Sequence, residues 1–251
     1  MKKLLLILLM MGLIACLLVG CSGVTPLPDG EEDEGEEETR VVMVEIFSQE
    51  GCPYSKIAEP LLEQLAEEYS REEIVLVEER AYGLYSLDEI RDRYEWYFPS
   101  SSDRSTPNIL FNGLNQRIHY QSTTYDFING KIKLELNKEP KISITNTSRI
   151  SDSTTTTISG TIKNISTSTL SNLVVNGMTF KDLGKTGLRY AVTDILEEQK
   201  ETVATLEPDG TYDFSFTIED INWDGNVYHG VIFVQAVQSS TKEILQSIYI
   251  E

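Results

Sequence analysis

The chain reads as an α/β domain followed by an all-β sandwich domain, both carried behind an N-terminal targeting segment. Three observations predict this. A short apolar run, Val41 to Phe47, leads through a turn into a stretch with four-residue periodicity, the pattern of a strand feeding a helix. From Lys141 the composition shifts: Ser and Thr dominate up to Ser171, and alternation replaces helical spacing. At the start, Lys2 and Lys3 precede the apolar stretch Leu4 to Val19. A length of 251 residues gives material for one large or two small domains, each able to bury a core.

The targeting segment ends Leu18-Val19-Gly20-Cys21, with small residues before a cysteine. This resembles the bacterial lipobox, which implies cleavage before Cys21 and a lipid on its thiol. The stretch is short for a membrane span, which needs roughly 20 apolar residues. Residues 1–20 are therefore expected to be a lipoprotein signal peptide, with the membrane as a partner through the lipid and an extracytoplasmic, envelope location. Residues 21–39 follow as a tether. Its acidic run, Glu31 to Glu38, repels itself and has little apolar surface to bury, so it should be extended. The formal net charge of −19 excludes nucleic acid, whose phosphates require clustered Lys and Arg.

Residues 40–139 make the first domain. After the strand at 41–47, Ile57, Leu61, Leu65 and Tyr69 mark a helix from about Pro53 to Tyr69. Cys52 then lies where a strand meets a helix N-terminus, a place that favours a thiolate; Lys56 adds a cation one turn on. Pro53 suits the first helical position. Ile74 to Glu78 reads as a strand, and Leu87 to Tyr97 as a helix. Ile109 to Phe111 and Arg117 to Gln121 read as a hairpin turning at Asn112-Gly113, a type I′ signal. Tyr125, Ile128, Ile132 and Leu136 mark a closing helix.

Two segments carry a resemblance. Cys52-Pro53-Tyr54-Ser55, continuing to Tyr69 with Pro60 eight residues after the cysteine, is similar to the active-site helix of the thioredoxin family. Cys-Pro-Tyr is the glutaredoxin version of that opening. Thr106-Pro107, opening a strand that ends at Asn112-Gly113, resembles the family's cis-proline loop. The resemblance implies an α/β thioredoxin-like domain, with Cys52, Ser55 and Pro107 as catalytic positions and Pro53, Tyr54 and Thr106 as substrate-binding ones. The departures are specific. Ser55 stands where a dithiol enzyme has its resolving cysteine, and serine cannot release a mixed disulfide. The family's buried acid would fall near Ile46, with Glu45 on the other face of the strand. Gly113 is followed by Leu114-Asn115-Gln116, so the glutaredoxin motif that grips glutathione is missing and glutathione is a doubtful partner.

Cys16 leaves with the signal and Cys21 takes lipid, so Cys52 is left as a lone thiol. Two readings follow. In one, Cys52 forms mixed disulfides with client protein thiols. In the other, the domain is a redox-inactive binding scaffold. No metal or cofactor is expected: one thiol and the scattered His119 and His229 give no zinc spacing, and an iron–sulfur cluster on a single cysteine normally needs glutathione and a reducing cytosol.

Residues 140–251 supply six or seven alternating segments, among them 157–162, 173–176, 212–218, 231–237 and 243–249. Turn signals lie at Asn176-Gly177, Pro208-Asp209-Gly210 and Asp224-Gly225, and Ala191 to Thr202 reads as a short helix or a linking loop. This strand count suggests an immunoglobulin-like sandwich serving as a spacer or partner-binding module.

Overall fold

The computed structural model describes residues 38–119, 123–152, 155–219, 223 and 228–251. The signal segment, Cys21, the acidic run apart from Glu38, and the Asp224-Gly225 turn lie outside the described residues.

Strand β1 (Val42–Gln49) is buried along all but its last residue, as its apolar run requires. It pairs in parallel with β2 (Ile74–Tyr82) and antiparallel with β3 (Asn108–Phe111), which in turn pairs with β4 (Gln116–His119). A parallel pair needs a crossover, and helix α1 (Ser55–Glu68) provides it. Its Ala58, Leu62, Leu65 and Ala66 are buried in the core. Helices α2 (Asp88–Tyr97) and α3 (Tyr125–Leu136) complete the first half; Thr124 caps α3 by accepting from the Phe127 amide.

The second half adds β5 (Ile142–Ser151), β6 (Thr155–Asn164), β7 (Leu170–Lys181), β8 (Ala191–Ile195), β9 (Glu201–Leu206), β10 (Thr211–Glu219), β11 (Tyr228–Ala236) and β12 (Ile244–Ile250). A three-stranded sheet runs β10-β6-β5. The other strands continue the first half's sheet in the order β12-β11-β7-β8-β2-β1-β3-β4, with β9 beside β7, nine strands in all.

This overturns the expected fold class. The chain is not an α/β thioredoxin-like domain followed by an immunoglobulin-like sandwich. It is predominantly β, with twelve strands and three α-helices among the described residues. The sheet crosses residues 139–140 through the pairing of Glu78 with Ala191. One core gathers Ile46, Phe47, Leu76 and Ile109 with Met178, Phe180, Val192, Val231 and Phe233. The physical reason is that alternation identifies a strand but not its sheet. The edge of β2 would otherwise offer unpaired backbone groups, and β8 covers it. Residues Glu38–Glu251 form one unit, pinned at its ends. The Val41 amide donates to Gln246 Oε1 at 2.9 Å, and Arg40 donates to Glu243 Oε1 at 2.9 Å and to the Ile244 carbonyl at 3.1 Å.

Other differences are local. Strand β2 runs four residues past Glu78, because Glu79 and Arg80 are buried polar residues that broke the apolar signal. Asn176-Gly177 is not a turn but the interior of β7, where a side chain at Gly177 would press on Ile232 and Leu196. Residues 191–202 form β8 and the start of β9 rather than a helix. The hairpin between β3 and β4 holds Asn112 and Gly113 at φ of +50° and +72°, as the dipeptide implied, but a short 3₁₀ turn over Gly113–Asn115 lengthens the loop.

Candidate functional site

The end of β1 delivers Cys52. The chain turns at Gly51 (φ +78°), and the Cys52 amide donates to the Gln49 carbonyl at 3.2 Å. Helix α1 begins at Ser55 with Tyr54 as its N-cap, so Pro53 precedes the helix instead of opening it. The Cys52 carbonyl accepts from the Lys56 amide at 3.2 Å, which ties the turn to the helix.

The structure brings Cys52, Ser55, Thr106 and Pro107 together. Cys52 Sγ donates to the Thr106 carbonyl at 3.4 Å, and the Thr106–Pro107 bond is cis. Pro107 is buried, Thr106 half-buried, and Pro53 and Tyr54 are exposed. Ser55 is buried, and its Oγ has no partner of good hydrogen-bond geometry among the described residues. Burial pushes the Cys52 thiol up. The Ser55 hydroxyl and amide, the Thr106 side chain and the Tyr54 amide outweigh that and hold it below its ordinary value. Ser55 therefore acts on the sulfur as an imperfectly aligned dipole. The charge of Lys56 bears on Glu59 instead of the thiol.

Asn108 fixes the loop before Pro107. Its Nδ2 donates to the carbonyls of Ser105 (2.9 Å) and Asp103 (3.0 Å) and to the Tyr94 hydroxyl, while its Oδ1 accepts from Arg117 Nε at 2.7 Å. Arg117 lies 4.1 Å from the centre of the Phe98 ring. Sequence reading missed this frame, since a strand-opening Asn gives no local signal of what it grips.

Ile46 is fully buried where an acid was sought, and Glu45 is committed elsewhere. It accepts from Arg93 Nε at 2.7 Å and from the Tyr97 hydroxyl at 2.9 Å. Glu79 lies 4.0 Å from the same guanidinium, and Gln235 of β11 donates to Tyr97 at 2.8 Å. That network joins the two halves and commits Glu45 away from Cys52.

Large apolar side chains are exposed on the segments that flank the cysteine, among polar ones such as Glu50 and Lys56. Tyr54 (50% exposed) and Ile57 (53%) project from the start of α1, Tyr82 (37%) from the end of β2, and Leu84 (60%) and Tyr85 (44%) from the loop after it. The two segments adjoin: Gln49 pairs with Tyr82, and a side chain on Gly83 would meet Glu50 Cβ at 3.3 Å. Tyr85 holds φ at +69°, a left-handed backbone that an aromatic residue seldom adopts. The aromatic-rich Ala81-Tyr82-Gly83-Leu84-Tyr85, placed at a turn, was the sequence signal for this rim. Among the described residues no group of His, Cys, Asp and Glu is arranged to hold a metal.

The fold and the site define a mostly β protein with a lone thiol inside an exposed aromatic rim. No protein-family model and no curated protein matches the chain. Among solved structures it is similar to HBP35 of Porphyromonas gingivalis, with a TM-score of 0.62 at 12% identity over 84% of this chain and 74% of that one. That likeness is one of fold. A domain of the outer membrane lipoprotein Omp28, also from Porphyromonas gingivalis, aligns over 45% of this chain and 88% of its own, at 17% identity and a TM-score of 0.31. The thioredoxin-family assignment is corrected together with the fold class, because the chain is mostly β with one sheet running through both halves, and the thiol–disulfide exchange expected from that assignment loses its support. The motifs around Cys52 and Pro107 are short, and the sheet that holds them includes five strands from the second half, β7, β8, β9, β11 and β12, that they do not report.

Proposed function

We propose that the protein is a redox-inactive binding lipoprotein of the cell envelope, tethered through Cys21, which docks an extended apolar segment of another protein on the rim around Cys52. The observation that carries this reading is the exposure of five large apolar side chains, Tyr54, Ile57, Tyr82, Leu84 and Tyr85, on adjoining segments. Monomeric proteins rarely leave such groups clustered in water unless a partner covers them. Tyrosines supply contact area at low entropic cost, which suits them to such a surface. The carbonyl of Thr106 and the exposed ring of Tyr54 flank the sulfur, so a bound segment lies across Cys52 without needing its chemistry. Ser55 in place of a second thiol fits the same reading. The envelope location and lipid anchor rest on Leu18-Val19-Gly20-Cys21.

The test is selection of displayed random peptides on the purified protein, repeated with two variants. Aromatic and aliphatic sequences should be enriched on the wild type and on Cys52→Ala, and lost on Tyr54→Ser/Leu84→Ser/Tyr85→Ser. Enrichment of cysteine-containing peptides alone, abolished by Cys52→Ala, would overturn the binding reading.

A further inference from the structure

A buried cluster of acids lies at the seam where β8 joins the sheet. Glu59 and Glu63 come from α1, Glu78 and Arg80 from β2, and all four are at most 7% exposed. They hold the loop between β7 and β8 by its backbone. Glu63 Oε1 accepts from the Gly187 amide at 2.6 Å, and Arg80 Nη2 donates to the Gly187 carbonyl at 2.6 Å. Glu78 Oε2 accepts from the Tyr190 amide at 2.8 Å, and the Glu78 amide donates to the Tyr190 carbonyl at 2.8 Å. Gly187 has φ of +78°, and any side chain there would run into Glu59 and Arg80. Loop and cluster are thus built against each other.

The charges do not balance. Three carboxylates face one buried guanidinium, and Arg80 is paired with Glu59 at 3.0 Å. The other cations are peripheral. Lys56 bears on Glu59, and Arg189 bears on Glu63 but is itself paired with Glu67 and with Asp182. Glu78 Oε1 is buried with no hydrogen-bond partner among the described residues, and Glu63 lies near enough for its charge to bear on Glu78. A carboxylate oxygen against another carboxylate is satisfied by a proton.

We propose that a proton held between Glu63 and Glu78 latches the 182–190 loop onto the sheet, and that its loss in mildly alkaline conditions loosens the seam. Burial pushes Glu78 up to about 8, the Tyr190 amide opposing and the charges of Glu63 and Glu59 adding to the rise; burial raises Glu63 as well. An unfolded Glu titrates near 4.5, so the folded chain keeps a proton that the unfolded chain gives up. The stabilisation is complete below that value and is lost as pH rises through about 8. Glu59 and Glu63 lie on the helix that begins beside Cys52, so loosening is transmitted to the rim.

The experiment follows the Gly187 and Tyr190 amides and the glutamate carboxyls of the full chain by NMR, from roughly pH 5 to 9.5, with Tm measured in parallel. Both amides should shift together with the Glu78 carboxyl, and Tm should fall across the same interval. Glu78→Gln, neutral at every pH, should abolish the shared shift and flatten the Tm slope; Glu63→Gln is the second variant should the first not fold. Amide resonances that stay fixed in the wild type, or a Tm slope unchanged in the variants, would overturn the latch.

Discussion

Asn108 shows how much of the site depends on one side chain away from it. With its amide gone, the Ser105 and Asp103 carbonyls and the Arg117 guanidinium all lose a partner. The Ser105 carbonyl keeps the Tyr94 hydroxyl and the Asp103 carbonyl keeps Arg117 Nη2; a lost hydrogen bond costs about 0.5–1.5 kcal/mol, so Asn108→Ala should lower stability by that order per bond in denaturant titration. It should also release the Thr106–Pro107 loop from the sulfur. At Cys52 the direction of the shift gives a second expectation. Alkylation by iodoacetamide should reach half its limiting rate below the roughly pH 8.5 of an unperturbed thiol. Ser55→Ala should move that midpoint upward, because the hydroxyl acts on the sulfur as a dipole from a buried position.

At the scale of elements, α2 is anchored by a charge as well as by apolar contact. Arg93 inserts between the fully buried Glu45 and Glu79, 2.6 Å from the first and 4.0 Å from the second, and Gln235 lies 3.4 Å away. Removing one partner from a buried ion pair typically costs about 3–5 kcal/mol. Arg93→Ala should therefore destabilise the chain by that order in thermal or urea unfolding. Glu79, pushed well above its ordinary value by burial and the charge of Glu45, would lose the guanidinium that opposes that rise. The elements themselves were largely legible. β1, α1, α2 and α3 lie where the apolar run and the four-residue spacing put them, and most of the later strands follow from alternation. What escaped was their assembly. Glu78, Glu79 and Arg80 look like a solvated strand end in the sequence, and their burial rests on partners outside it: Tyr190 for Glu78, Arg93 for Glu79, and Gly187 with Glu59 for Arg80. Of the site, Cys52, Ser55, Thr106 and Pro107 carry motifs that place them near one another, while Tyr82, Leu84 and Tyr85 lie between the strand and the helix read from the sequence and have no motif of their own.

For the whole molecule, the shared core means that the two halves should not survive separation. A chain of residues 38–139 alone would expose the edge of β2 and strip Phe47 and Leu76 of the cover given by Phe180 and Phe233. Such a fragment is expected to aggregate or to lack sharp amide dispersion in NMR, whereas two independent domains would each give a folded spectrum. The proposed lipid belongs to this scale too. The full chain should partition into a detergent phase when expressed in a lipoprotein-processing bacterium, and Cys21→Ala into the aqueous phase.

The clasp of Arg40 and Val41 on Glu243, Ile244 and Gln246 has a temporal meaning. The residues that lead into the first strand find their partners more than two hundred positions further on. Contacts so distant along the chain form slowly, because a long loop must close before they are rewarded. The first strand therefore waits on residues 243–246 for its clasp, and a chain in that state stays open longer than one built from neighbouring hairpins.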